Sequence, residues 1–405
     1  MKKILEYSVA LLIILECNTV YFWNINQNFF ITEMLIAFTL FLFIYNLMIY
    51  RLHNKLYLNK KSILFLFLYY AYILFFMVLT KTKDGSFIKL FIIIYPLLVL
   101  MYSQKNFKKQ LIIEKFPDIV VILAIISIVF WILGPLTKVL NPTGYMYIDW
   151  GEVRRIPSYF GIHFYTQSAG LFGKLVVRNT GIFTEGPMYS LILTIALITE
   201  VFITKRKSPK VILILLITIF TTISTSGIVL GIVVLFLDFI ITKNKGNVVK
   251  SLKLMILPFV LLSIILIIGY FIGVKRTSFS YYTRMDDYVA SFKAWKQHLV
   301  LGNGFKNEDS IIKFMSRARK KNTGLSNSIL VVLALDGIYL SIAYFVPFIK
   351  AFANSIKNKN VRVFIFTTMV LILFTTIIFP YKVLIFNLLA FFITYKKDEL
   401  EKEQS

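Results

Sequence analysis

The stretch that decides the fold is DIVVILAIISIVFWILG, residues 118–134. After Asp118 it holds no charged side chain. At about 1.5 Å per residue a helix of this length runs roughly 25 Å, close to the hydrocarbon thickness of a bilayer. Similar runs recur along the chain, at about 4–22, 29–50, 62–79, 87–102, 188–204, 210–224, 227–241, 254–273, 326–349, 361–379 and 382–395. Hydrophobic residues make up 58% of the 405 positions and charged residues 16%, well outside the balance of a water-soluble domain. The expectation is an all-α integral membrane protein of about twelve transmembrane helices. It forms one polytopic domain over 1–405, since no polar stretch is long enough to fold separately.

The N-terminal Met1-Lys2-Lys3 followed by an apolar run resembles a signal peptide, but Leu15-Glu16-Cys17 suits no cleavage site, so a retained first helix is expected. Cys17 is the single cysteine and excludes a disulfide framework.

Net charge is +25, a value that invites a nucleic-acid reading. Topology accounts for much of it. With the N-terminus in the cytoplasm, the inner connections 51–61, 103–117, 205–210, 243–253 and 350–362 and both termini hold 25 of the 45 Lys and Arg residues. That is the bias of short cytoplasmic loops, so no nucleic acid is expected as partner. The excess left over lies in two large external loops, 135–187 and 274–325, which carry five and eleven basic residues. Basic surface beside a bilayer favours an anionic, phosphate-bearing ligand.

The first of these loops is rich in aromatic residues, from Trp150 through Tyr159, Phe160, Phe164 and Tyr165, and ends in Arg178-Asn-Thr-Gly181-Ile-Phe-Thr-Glu185-Gly186-Pro187 before a span. A charge pair at a helix mouth is costly unless partnered or serving a ligand. In the second loop Met285, Tyr288, Phe292, Trp295 and Leu299 form a helical apolar stripe, with Arg284, Asp287, Ser291 and His298 on an adjacent face. This helix either lies on the membrane surface or turns its polar face to a cavity, and Gly302-Asn303-Gly304 ends it. A second short amphipathic stretch covers Ile311 to Lys321. Asp286-Asp287 would point apart on a helix, and His53, His163 and His298 lack metal-ligand spacing, so no metal and no cofactor are expected. Asp336, deep in the tenth span, is either a partner for a basic residue or a structural hydrogen-bonder before Gly337.

Taken together, Arg178-x-x-Gly181-x-x-x-Glu185, Ser224-Thr225-Ser226-Gly227, Arg284 with Trp295, Leu301-Gly302-Asn303-Gly304, Ser326-Asn327 and Asp336-Gly337-Ile338 resemble the Wzy-type O-antigen and capsular polysaccharide polymerases, in the superfamily that includes the O-antigen ligases. Three departures stand out. Glu185 is followed by Gly186-Pro187 rather than directly by Pro, Thr225 stands where Arg is frequent, and Ser326 stands where ligases place a His.

The resemblance implies a GT-C-like fold in the bacterial cytoplasmic membrane, with both termini cytoplasmic. It implies a metal-independent inverting glycosyltransferase that joins undecaprenyl-pyrophosphate-linked repeat units at the outer face for capsule, O-antigen or exopolysaccharide. A chain-length regulator and a flippase of the same pathway would be its partners. It assigns Arg178 and Arg284 to the pyrophosphate and Glu185 to the acceptor hydroxyl. Asn327 and His298 would position substrate, and Arg154, Arg155 and Arg276 would meet lipid phosphate. An O-antigen ligase-like enzyme and a polysaccharide flippase or transporter are the competing readings.

Overall fold

In the computed structural model the described residues are 1–25, 30–52, 60–103, 112–171, 174–204, 207–242, 279–319 and 323–395, together with Gly269 and Gly273. The apolar runs form α1 (Lys2–Glu16), α2 (Ile31–Leu52), α3 (Lys60–Thr80), α4 (Gly85–Ser103) and α5 (Ile112–Leu136). After the first loop come α6 (Gly186–Phe202), α7 (Pro209–Thr221) and α8 (Thr225–Ile241). The second loop holds α9 (Phe279–Gln297) and α10 (Asp309–Ile312), and the chain closes with α11 (Ser328–Lys357), α12 (Val361–Thr376) and α13 (Val383–Thr394). Five of these helices, α2, α3, α4, α5 and α11, are long and apolar enough to cross a membrane, and α6, α7, α8, α12 and α13 are shorter apolar helices. The expected span 254–273 and Arg276 fall outside the described residues, Gly269 and Gly273 apart.

Burial sorts the helices. α6 and α13 are buried nearly all round and form the centre of the bundle. Only 17% of the apolar window of α3 is buried, and Phe67, Leu68 and Val78 stand out from it. A helix apolar on every face belongs either in a core or against lipid, and both kinds are present. In α4 the stretch Ile88–Ile94 widens to a π-helix, which disturbs the usual backbone pairing. Two hydroxyls of α3 serve that stretch: Tyr69 donates to the Phe91 carbonyl at 2.8 Å and Tyr70 to that of Ile92 at 3.1 Å.

In the first loop, read from the sequence only as an aromatic-rich stretch, the structure places strands. β1 (Gly144–Asp149), β2 (Val153–Tyr159) and β3 (His163–Phe164) form an antiparallel sheet in that order, and β4 (Ser168–Leu171) pairs with β5 (Lys174–Val177). The chain after α1 lies along β1, with Ile25 N–H on the Tyr147 carbonyl at 3.0 Å and Asp149 N–H on that of Trp23 at 3.1 Å. The period-two signal is present in Tyr145-Met146-Tyr147-Ile148: Ile148 is buried while Tyr145 and Tyr147 are exposed.

The second loop has its helix, turned opposite to the soluble rule. Met285, Phe292 and Leu299 of the apolar stripe are exposed, whereas Asp287, Ala290, Ser291 and Ala294 are buried on the side that packs against α11. The buried Asp287 is partnered throughout. It pairs with the Arg319 guanidinium and accepts from Ser326 Oγ at 2.6 Å, which settles the Asp286-Asp287 pair as a structural tie.

α11 breaks at Gly337, whose φ is +66°. The chain at Leu299–Gly304 enters the break. Gly304 N–H bonds the Leu335 carbonyl at 2.9 Å, Ile338 N–H that of Leu299 at 3.0 Å, and Tyr339 N–H that of Val300 at 2.9 Å. A Cβ at Gly302 would lie 2.3 Å from the Leu335 oxygen, and one at Gly337 would lie 2.2 Å from that of Val300. Two glycine motifs far apart in sequence are thus one backbone-to-backbone crossing.

Candidate functional site

The mouth of α6 is built around Arg178. One guanidinium nitrogen donates to Gln167 Oε1 at 2.8 Å and the other terminal nitrogen to the Ile223 carbonyl at 2.7 Å. That carbonyl is presented by the turn between α7 and α8, where Ile223 adopts a φ of +51°. The next residue, Asn179, binds Ser127 Oγ and Thr221 Oγ1 through its amide nitrogen. The Ser224–Gly227 segment packs close to α6, since a Cβ on Gly227 would collide with Ser190 Oγ. Gly186 has an equally local reason. A Cβ there would lie 3.2 Å from Arg178 Nε and 2.9 Å from the Thr222 carbonyl, so the glycine between Glu185 and Pro187 is the space the arginine occupies.

Glu185 sits at the N-cap of α6 without bonding the helix N–H groups, and faces a cavity of about 760 Å³. Burial pushes its carboxyl above the ordinary value, against the opposing pull of Arg178, Arg284 and Arg154 in that order. Burial also lowers the Arg178 guanidinium, with Glu185 resisting and Arg284 adding to the shift. Three arginines from separate segments, at 154, 178 and 284, therefore act on one carboxylate.

The cavity wall includes Asn18, Trp23, Ser86, Trp150, Gln167, Lys306 and Tyr381, so it gathers the connections read as external along the whole chain. The same wall includes Lys306 and Lys382. Lys382 Nζ lies 3.7 Å from the Glu16 carboxylate and 4.1 Å over the Phe22 ring, and Lys306 Nζ donates to Ser86 Oγ at 2.6 Å. Burial lowers the Lys306 ammonium, Asp84 opposes this, and the like charge of Lys382 adds to it. Tyr381 reaches back to the broken helix, its hydroxyl donating to Asp336 Oδ2 at 2.8 Å. Of the two roles open to Asp336, hydrogen-bonder beside Gly337 is the one observed.

The remaining expected site residues divide. Arg154 lines the cavity and pairs with Glu152 at 3.0 Å. Arg155, one position on, belongs to the other sheet face and stacks on Tyr145 at 3.6 Å. Asn327 caps α11, its Oδ1 accepting from Leu330 N–H at 3.0 Å. His298 lines a separate recess of about 410 Å³ beside Leu79 and Thr80. Arg284 donates to the Thr376 carbonyl at 3.4 Å at the end of α12. Sequence reasoning missed Gln167, Lys306 and Lys382. The lysines stand in segments counted for their charge alone, and a glutamine in an aromatic loop carries no spacing signal. Among the described residues no three His, Cys, Asp or Glu side chains converge.

Fold and site together define a helical, membrane-type protein with a charged cavity roofed by small sheets. No protein-family model, no curated protein and no solved structure matches the chain.

Proposed function

We propose that this protein is a membrane-embedded polysaccharide polymerase, an inverting glycosyltransferase acting on lipid-diphosphate-linked repeat units at the outer face of a bacterial cytoplasmic membrane. About twelve spans with both termini cytoplasmic would serve it. The observation that carries the reading is Glu185, a half-buried carboxyl facing a large cavity, with Arg178, Arg284 and Arg154 acting on its charge.

In the proposed reaction Glu185 takes the proton of an acceptor sugar hydroxyl. The freed oxygen attacks the donor's anomeric carbon, and the bond from that carbon to the diphosphate breaks with its electron pair leaving on the diphosphate. Arg154, which lines the cavity together with Lys306 and Lys382, stabilises that growing charge, and Arg284 adds its field from outside the lining. Arg178, with two of its nitrogens committed to Gln167 and Ile223, positions the wall rather than reaching the substrate.

A transporter would be favoured by a broken helix with free backbone groups. Here the break at Gly337 is filled by Leu299–Gly304, which weighs against it. The deciding experiment deletes the gene in its source organism. Polymer should vanish while single repeat units accumulate on lipid, the wild-type gene should restore chain length, and the purified enzyme should stay active in chelator. Unchanged polymer after deletion would refute the reading.

A further inference from the structure

Gln167 lies in the cavity wall beside Thr166, Thr184 and Glu185. Its side-chain oxygen accepts twice, from the Arg178 guanidinium at 2.8 Å and from Gly186 N–H at 3.3 Å. Its own backbone carbonyl accepts from Arg178 N–H at 3.2 Å, so the residue is held at both ends by the same partner. An amide that has spent its oxygen on two donors cannot turn over: the flip would set NH₂ against a guanidinium and a backbone N–H. The orientation is therefore determined by the surroundings. Nε2 is left as the free end. Among the described residues nothing accepts from it, and it is not among the buried atoms lacking a partner, so it opens to the cavity.

We infer that Gln167 is a substrate-binding residue whose locked amide donates a hydrogen bond to an oxygen of the acceptor sugar beside the hydroxyl that Glu185 activates. Arg178 is then a positioning residue acting through it, which gives a buried cation at the mouth of α6 a task other than touching substrate. This inference rests on the polymerase reading. It adds that the site carries an oriented donor, and an oriented donor selects for an acceptor bearing oxygen at that place.

The informative variant is Gln167→Glu. It keeps an oxygen for Arg178 and Gly186 and replaces the NH₂ donor with an oxygen that, ionised, can only accept. The probe is the lipid-diphosphate-linked single repeat unit extracted from the deletion strain. Binding is followed by quenching of Trp23 and Trp150, which line the cavity, and elongation by the KM and kcat of the purified enzyme. Gln167→Glu should bind the probe about tenfold more weakly and show a KM raised about tenfold, with unchanged thermal stability. Gln167→Met, which removes the donor and the oxygen together without adding charge, should show at least the same KM rise, so a wild-type KM there still overturns the inference if the Glu variant fails to accumulate. Wild-type KM in either folded variant would overturn the inference, because a residue needed only to hold Arg178 is fully replaced by glutamate. A wild-type protein that neither binds nor elongates the probe would instead bring down the polymerase reading, and this inference with it.

Discussion

The crossing at Gly302 and Gly337 and the cavity at Glu185 are both built from short sequence motifs, yet they are held by opposite means. At the crossing, backbone meets backbone, and the contact distances leave no room for a single Cβ. At the cavity, long charged side chains from three segments meet around one carboxyl, and each could be shortened without a clash. The first region tolerates no added atom because main-chain packing cannot yield. The second tolerates substitution sterically but not chemically. A glycine motif and an arginine motif that look equally conspicuous in a sequence thus belong to different parts of the protein, the backbone crossing in one case and the charged cavity in the other.

That contrast can be broken at either end. The largest effect is expected from Gly337→Ala, which forces a Cβ to 2.2 Å from the Val300 oxygen at a φ of +66°. Overpacking and the left-handed backbone together should cost about 3 kcal/mol or more. The variant should fail to accumulate, as read by membrane-fraction yield and detergent melting. Glu185→Gln should do the reverse, with normal yield and activity down about 100-fold by in vitro elongation. Normal yield of the glycine variant, or poor yield of the glutamine variant, would erase the distinction.

Next in size is Arg319→Met, which strips the buried Asp287 of its counter-charge. Loss of about 3 kcal/mol is expected, since the remaining carboxylate has no water to turn to. Thermal melting reads it. Gly186→Ala tests the border between the two regions, because its Cβ would press on Arg178 Nε at 3.2 Å. A tenfold loss of activity with a small drop in melting temperature is the expected outcome, about 1 kcal/mol.

The smallest effects are set by pH. Burial raises the Glu185 carboxyl, so the acid limb of activity should lie above the ordinary carboxyl value of 4.5. Ionising this group is harder in the fold than in the unfolded chain, so it contributes stability below that value and loses it as pH rises through its raised folded pKa. Glu185→Gln should flatten that limb of the melting profile. His163 works in the other direction. It is fully buried, with neither ring nitrogen partnered among the described residues, and burial lowers it from 6.5 to about 4. The folded state resists its protonation, so stability should fall as pH drops from about 6.5 towards 4, and His163→Phe should remove that slope. A melting profile for His163→Phe with the same slope as the wild type over that range would refute the assignment.

Much of this was legible in advance. The apolar runs announce the helices, Arg178 and Glu185 stand out as a charge pair at a helix mouth, and the roles of Arg284 and Arg154 are what the resemblance implies. Arg154 and Arg155 could not be told apart until β2 put them on opposite faces. The sheets themselves were hidden because the alternation of Tyr145 to Ile148 is short and its aromatic residues also suit a membrane interface. Asn327, a substrate contact by the resemblance alone, is placed by the structure at the N-cap of α11, where its side-chain oxygen accepts from Leu330 N–H. His298 shared a helix face with Arg284, but the chain turns after α9 and carries the histidine into another recess.

From the sequence by itself came the helical, membrane-type class, because twenty apolar residues in a row leave the backbone no partner but itself in lipid. The external placement of the basic excess came from the same source as an expectation, by charge counting. Tertiary structure alone decided which charges meet, that Gly302 and Gly337 are one contact, and that Gln167 presents a donor rather than an acceptor. Those outcomes depend on how separate segments of the chain meet in space, and no local pattern encodes such a distance.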